Sequence, residues 1–124
     1  MLKKILLFIM FFIPLFGGGE YSLDKLVGSK CGGAEFTYYR FLIDENSYAE
    51  IMRSDSRAYT AESAADALGV NVVRRENVGG TEILFGYAAG LSGVLILDGK
   101  RINIQIADNG IYLLIGSPYI PDGF

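Results

Sequence analysis

The sequence contains no histidine and a single cysteine, Cys31, and this bounds the chemistry it can carry. Without an imidazole there is no Ser-His-Asp or Cys-His nucleophile system and no histidine-bound zinc. A lone thiol makes neither a thiolate zinc site nor a CxxC redox pair, and it cannot close an internal disulfide. Cys31 lies well behind the N-terminal apolar run and follows Lys30, unlike a lipoprotein cysteine, and reads as a loop thiol. Gly90-Leu91-Ser92-Gly93 resembles a nucleophile elbow with its second glycine one place early; a tight turn between strands explains it better. Ser22 and Lys25 have Ser-x-x-Lys spacing, but the companion motifs of penicillin-recognising enzymes are missing, and a small N-terminal cap is the plainer reading. The glycines form no phosphate cradle, since Gly79-Gly80 joins strands rather than opening a helix.

Carboxylates remain. Glu35, Glu76, Glu82 and Asp98 could supply a general acid and a general base, as in glycosidases, but fourteen acids in a small domain include chance pairs. Asp98, Asp108 and Asp122 offer oxygen ligands for calcium; their spacing matches no calcium loop, and Asp98-Gly99 and Asp108-Asn109-Gly110 are hairpin turns first. The sequence calls for no cofactor. The features that lean toward binding are a polar strand face, Arg101, Asn103 and Gln105, and a tail over residues 117–124 that holds two prolines, Tyr119 and Phe124. Proline limits the entropy lost on ordering, and aromatics bring contact area. Phe36, Tyr38 and Tyr39 add aromatic surface. The competing reading of the tail is that it folds back over the sheet edge.

The elements that must position these residues follow from periodicity. Residues 35–43 are rich in aromatics and read as a strand, closed by Asp44-Glu45-Asn46. Ser47 and Glu50 have the spacing of a capping box, which predicts a helix from Ser47 with an apolar side that includes Tyr48, Ile51 and Met52. The pattern falters at residues 54–58, after which Thr60 caps an alanine-rich helix over 61–68 and Gly69 supplies the positive φ that ends it. From Val70 the period becomes two. Strands lead to a turn at 77–80, then run over 81–89, 94–97, 100–107 and 111–115, with Asp98-Gly99 as a two-residue hairpin loop. Ile102, Ile104 and Ile106 alternate with Arg101, Asn103 and Gln105, which predicts one buried and one wet face. Strands that run together after one helical stretch favour α+β: an antiparallel sheet of about five to six strands packed on one long or broken helix.

The N-terminus reads as a secretory signal peptide over residues 1–19. Lys3 and Lys4 precede an unbroken apolar run over residues 5–16, and Gly17, Gly18 and Gly19 suit a cleavage site. The run is short for a membrane span, which needs roughly 17–25 residues; an uncleaved anchor is the alternative. Residues 20–34 read as a leader segment with a short helical turn at 22–27, residues 35–120 as one domain, and 121–124 as its tail. Loss of Lys3 and Lys4 leaves nine bases against fourteen acids, a net charge of −5. That surplus opposes nucleic acid and anionic lipid, and Arg74-Arg75 and Lys100-Arg101 read as solvated strand ends.

Residues 103–107 (Asn-Ile-Gln-Ile-Ala) and 112–120 (Tyr-Leu-Leu-Ile-Gly-Ser-Pro-Tyr-Ile) resemble the closing pattern of the YwmB-type exported proteins of Gram-positive bacteria, a family named for a fold similar to the TATA-box-binding protein. The resemblance extends more loosely to the helix ending at Leu68-Gly69, covering about residues 35–120. This chain is shorter than typical members, with room for one sheet-plus-helix unit, and its end, residues 121–124, differs. The resemblance implies a signal peptide, an α+β domain and no established activity; it carries no DNA binding over. The sequence therefore predicts an exported, non-enzymatic module of the envelope or the secreted fraction. Its partner would be another envelope protein or a wall component, with membrane contact only through an uncleaved leader. The alternative is a small carboxylate-dependent hydrolase.

Overall fold

The computed structural model describes residues 22–122 and, by backbone alone, residues 11–13. The expected signal peptide over residues 1–19 otherwise lies outside the described residues, as does Phe124. The chain folds as α+β, as expected. In chain order the elements are β1 (Phe11–Ile13), α1 (Leu23–Lys30), β2 (Thr37–Leu42), β3 (Tyr48–Ser54), α2 (Ala61–Leu68), β4 (Asn71–Val78), β5 (Thr81–Tyr87), β6 (Val94–Leu97), β7 (Lys100–Ile102), β8 (Ile104–Asp108) and β9 (Leu113–Ser117). Six strands form an antiparallel sheet in the order β2-β3-β9-β8-β5-β4, and a second small sheet runs β1-β6-β7. Among the described residues no helix is long and apolar enough to cross a membrane.

Both faces of the large sheet are covered. On one, α1 and α2 bury Leu23, Leu26, Val27, Ala61, Ala64 and Leu68 against Met52, Leu84, Ile104, Ile106 and Ile115. On the other, Leu95, Leu97 and Ile102 of the β6–β7 hairpin pack on Ile51, Ile83, Phe85 and Leu114. Burying apolar side chains on both faces supplies the main folding drive of a domain this small.

Two expectations are corrected here. Residues 48–54 form β3, not a helix: β3 pairs with β2 and β9, so it is central in the sheet. Ala49 and Ile51 enter one core and Met52 the other. A strand buried on both faces reads as adjacent apolar residues, which mimics one side of a helix. Asp44-Glu45-Asn46 is its hairpin turn, tied by the Asn46 N–H donating to Asp44 Oδ1 at 2.8 Å. The one long or broken helix reduces to α2, eight residues or about 12 Å. There the expected signals hold: Thr60 Oγ1 accepts from the Ser63 N–H at 3.1 Å, and Gly69 sits at φ 69°. The second correction concerns the leader segment. Its helical turn extends through Lys30 as α1, whose Leu23 and Val27 are fully buried, so these residues belong to the domain. Cys31 joins the same core, and burial pushes its thiol pKa up.

Glu50 does cap a helix, but a different one. From β3 its Oε1 accepts from the Leu23 N–H at 3.1 Å, at the N-terminus of α1, where a carboxylate also meets the positive end of the helix dipole. Its Oε2 accepts from the Tyr38 hydroxyl at 2.7 Å. Burial and this carboxylate push the Tyr38 pKa up to about 12. An unfolded tyrosine ionises near 10. A raised native pKa means the contribution of Tyr38 to stability is complete below pH 10 and is lost as pH rises toward 12. In an ultraviolet titration, one phenol is expected to ionise last in the native protein, and Tyr38→Phe to remove that step. Glu50→Gln should move the step to lower pH.

Candidate functional site

An open cleft of about 650 Å³ lies on the hairpin side of the large sheet, lined by Asn71, Val72, Val73, Tyr87, Gly99, Lys100 and Arg101. Its size suits a small-molecule or peptide site. Three local features build it. The first is at Gly86, opposite Val72, where an added Cβ would lie 2.7 Å from the Asn71 carbonyl oxygen and collide with Val70 Cγ1. Glycine thus lets the start of β4 close onto the end of β5, beside Tyr87. The second is a bulge between Val72 and Arg74, which brings Val73 to the hairpin side while Val72 packs on the helix side. The third is the Asp98-Gly99 turn, with φ 53° and 76°, both in the left-handed region that a two-residue hairpin loop needs. It delivers Lys100 and Arg101 to the cleft. Arg74 ties this turn to β4 through Asp98 at 2.9 Å.

The electrostatics of the cleft set it apart in an acidic chain. Five of the six arginines hydrogen-bond an acceptor at the surface. Arg53 meets Asp55, Arg57 meets Asp108, Arg74 meets Asp98 and Glu76, and Arg75 meets both oxygens of Glu62, holding that carboxyl below the usual range. Arg40 bonds the Tyr48 hydroxyl at 2.7 Å and stacks over its ring. Arg101 instead stands 5.8 Å from the Tyr87 ring centre, and neither it nor Lys100 makes an ion pair among the described residues. Two uncompensated cations beside an aromatic ring and two valines can hold an anionic group attached to an apolar body.

Of the sequence-predicted binding residues that the structure describes, only Arg101 is brought to this site; Phe124 lies outside the described residues. Asn103 and Gln105 are fully buried, so the wet strand face does not exist. The reason is a change of sheet: the strand leaves the hairpin after Ile102, and Asn103 donates its N–H to the Gly86 carbonyl at 2.9 Å. Ile102 then packs on one side of the large sheet while Ile104 and Ile106 pack on the other. Tyr119 lies in a tail that folds back over the sheet, with Ile120 fully buried and its N–H donating to Gln105 Oε1 at 2.8 Å. Tyr119 is half-buried, which pushes its phenol pKa up.

The other candidates do not converge. Glu76 and Asp98 both bond Arg74 rather than each other, and among the described residues no carboxylate lines the cleft. Asp108 bonds Arg57 and the Gly110 N–H, and among the described residues no group of three His, Cys, Asp or Glu side chains could hold a metal ion. Ser92 sits in a turn bounded by Gly90 and Gly93 at φ 95° and 85°. Along β2 every residue is exposed, but Tyr38 and Arg40 are engaged within the surface, and Tyr39 and Phe41 have interactions of their own. The sequence did not single out Asn71, Val72, Val73 and Tyr87 as site residues, and Lys100 was read with Arg101 as a solvated strand end. The one local signal was a basic pair directly after an Asp-Gly turn whose aspartate, Asp98, is taken up by Arg74.

Comparison with protein-family models, with curated proteins and with solved structures gave no match.

Proposed function

We propose that this chain is an exported, non-enzymatic interaction module, acting in the envelope or the secreted fraction, that holds an anionic ligand in the cleft between the start of β4 and the β6–β7 turn. The observation that carries the reading is the Lys100-Arg101 pair, without an ion pair among the described residues, at a cleft lined by Tyr87, while Arg53, Arg57, Arg74 and Arg75 are ion-paired and Arg40 bonds the Tyr48 hydroxyl. A cation left without a partner at a concave surface is inexpensive to keep when water solvates it and becomes favourable when an anion replaces that water. The lining holds no acid or base pair for hydrolysis, so the carboxylate-dependent alternative has no support at this site. The exported setting comes from the lysine-flanked apolar run at the N-terminus.

Two measurements test this. Mass spectrometry of protein recovered from culture is expected to find chains beginning after Gly19. Intact chains confined to the soluble cell interior would remove the exported setting. Titration of the ¹⁵N-labelled protein with short carboxylate-bearing peptides, inorganic phosphate and neutral sugars is expected to shift amides at Asn71, Val73, Tyr87 and Arg101 with an anion only. Arg101→Glu should abolish those shifts. Shifts elsewhere, or equal shifts with neutral sugars, would overturn the assignment of the cleft.

A further inference from the structure

We infer that the ligand is the C-terminal end of an extended peptide, added antiparallel to β4 with its terminal carboxylate between Lys100 and Arg101. This rests on the reading of the cleft as an anion site and names what occupies it. Strand β4 ends the order of the large sheet and pairs with β5 on one side only, so among the described residues its outer backbone groups have no strand partner. An open edge of this kind is a template for a further strand. The cleft does not lie midway along it. Its β4 residues are Asn71, Val72 and Val73, the first three of the strand. A strand added antiparallel runs from the Val78 end toward Asn71, so its last residue arrives at the cleft.

The bulge interrupts the edge. Ladder register is regular from Arg74 to Val78, shifts between Val72 and Arg74, and resumes at Val72 and Asn71. A bulge disrupts the ladder locally and bends the strand. A peptide paired along residues 74–78 would therefore leave the ladder beside Val73 and carry its end toward Lys100 and Arg101. A chain terminus supplies what the cleft offers to complement: a carboxylate for the two cations, and a last side chain for Val73 and Tyr87. Antiparallel addition is also the geometry in which every strand pair of the large sheet is built.

The test uses the full chain and a fluorescein-labelled peptide of alternating threonine and valine, read by fluorescence anisotropy. Three versions are compared: free C-terminal carboxylate, C-terminal amide, and free carboxylate with alternate backbone nitrogens methylated. The carboxylate form is expected to bind. The amide should bind about tenfold weaker or worse through loss of a charge-assisted hydrogen bond. The methylated form should be weaker by a similar factor, because it cannot donate to the β4 edge. Arg101→Glu should reverse the preference for carboxylate over amide. Carboxylate-dependent binding that methylation leaves unchanged would overturn strand addition while keeping the cleft as an anion site. Binding of phosphate but of no peptide would do the same. If neither peptide nor phosphate binds and Arg101→Glu changes nothing, both this inference and the function proposed above fall.

Discussion

Asn103→Leu is expected to lower the unfolding free energy by about 3 kcal/mol or more, although leucine is apolar and branches at Cγ as asparagine does. Asn103 is fully buried, and its side chain is a bracket for the loop between β5 and β6. Its Oδ1 accepts from the Ala88 N–H at 2.7 Å, and its Nδ2 donates to the carbonyls of Ala88 at 2.9 Å and Leu91 at 3.1 Å. Leucine takes the Asn103 bond from the Ala88 N–H and the Leu91 carbonyl and leaves the Ala88 carbonyl only the long 3.5 Å bond from the Leu91 N–H, at about 1–3 kcal/mol for each buried group left unpaired. For a domain of this size that corresponds to a fall in Tm of roughly 15 °C. The comparison variant is Arg101→Ala, two residues earlier and exposed, which should stay within about 0.5 kcal/mol of the parent. A Tm for Asn103→Leu within 3 °C of the parent would show that the bracket carries little.

Asn103→Asp sharpens this. It keeps the acceptor for Ala88 but turns a second oxygen toward two carbonyls. The folded state then favours the protonated carboxyl, so its native pKa lies above the unfolded value. A raised native pKa gives stability that is present below the unfolded carboxyl range and lost as pH rises. The gap between Asn103→Asp and the parent should narrow in acid and widen toward neutrality, in urea midpoints taken at each pH.

Gly116→Ala is the second large effect, expected at about 2 kcal/mol or more. A Cβ at Gly116 would lie 2.6 Å from the Tyr119 carbonyl oxygen and 2.7 Å from Ile120 Cγ1, so the tail must move. The tail is held by the Ile120 N–H on Gln105 and by Ser117 Oγ donating to the Asn103 carbonyl, both at 2.8 Å. Lifting it exposes Ile120, whose burial is itself worth about 1.5–3 kcal/mol. Gly116→Ala should therefore lower the Tm and speed protease cleavage within residues 117–122. A lower Tm with the tail as resistant as in the parent would place the strain in β9 instead.

The two residues involved show where the sequence misleads. Ile102, Ile104 and Ile106 alternate with Arg101, Asn103 and Gln105, and an alternation of that kind signals a half-wet strand when one regular strand runs through it. Here two short strands meet at Asn103 and belong to different sheets. Asn103 and Gln105 are polar because they bond backbone atoms about fifteen residues away, at Ala88 and Ile120. Glu50 repeats the lesson. Its spacing from Ser47 predicts a cap, and it caps a helix that begins 27 residues earlier.

What the chain settles by itself is what near neighbours settle. Thr60 and Gly69 bound a helix through bonds within three or four residues, and Asp98-Gly99 turns a hairpin through backbone angles of its own. Added up, these local preferences favour an α+β sheet protein. The tertiary structure alone decided that residues 48–54 lie in the middle of a sheet, that Asn103 and Gln105 are inside, and that Lys100 and Arg101 meet Tyr87 and Val73. The physical reason is that burial and charge compensation depend on which distant segments arrive at a place. A sheet covered on both faces erases the polar and apolar alternation from which those arrivals are read.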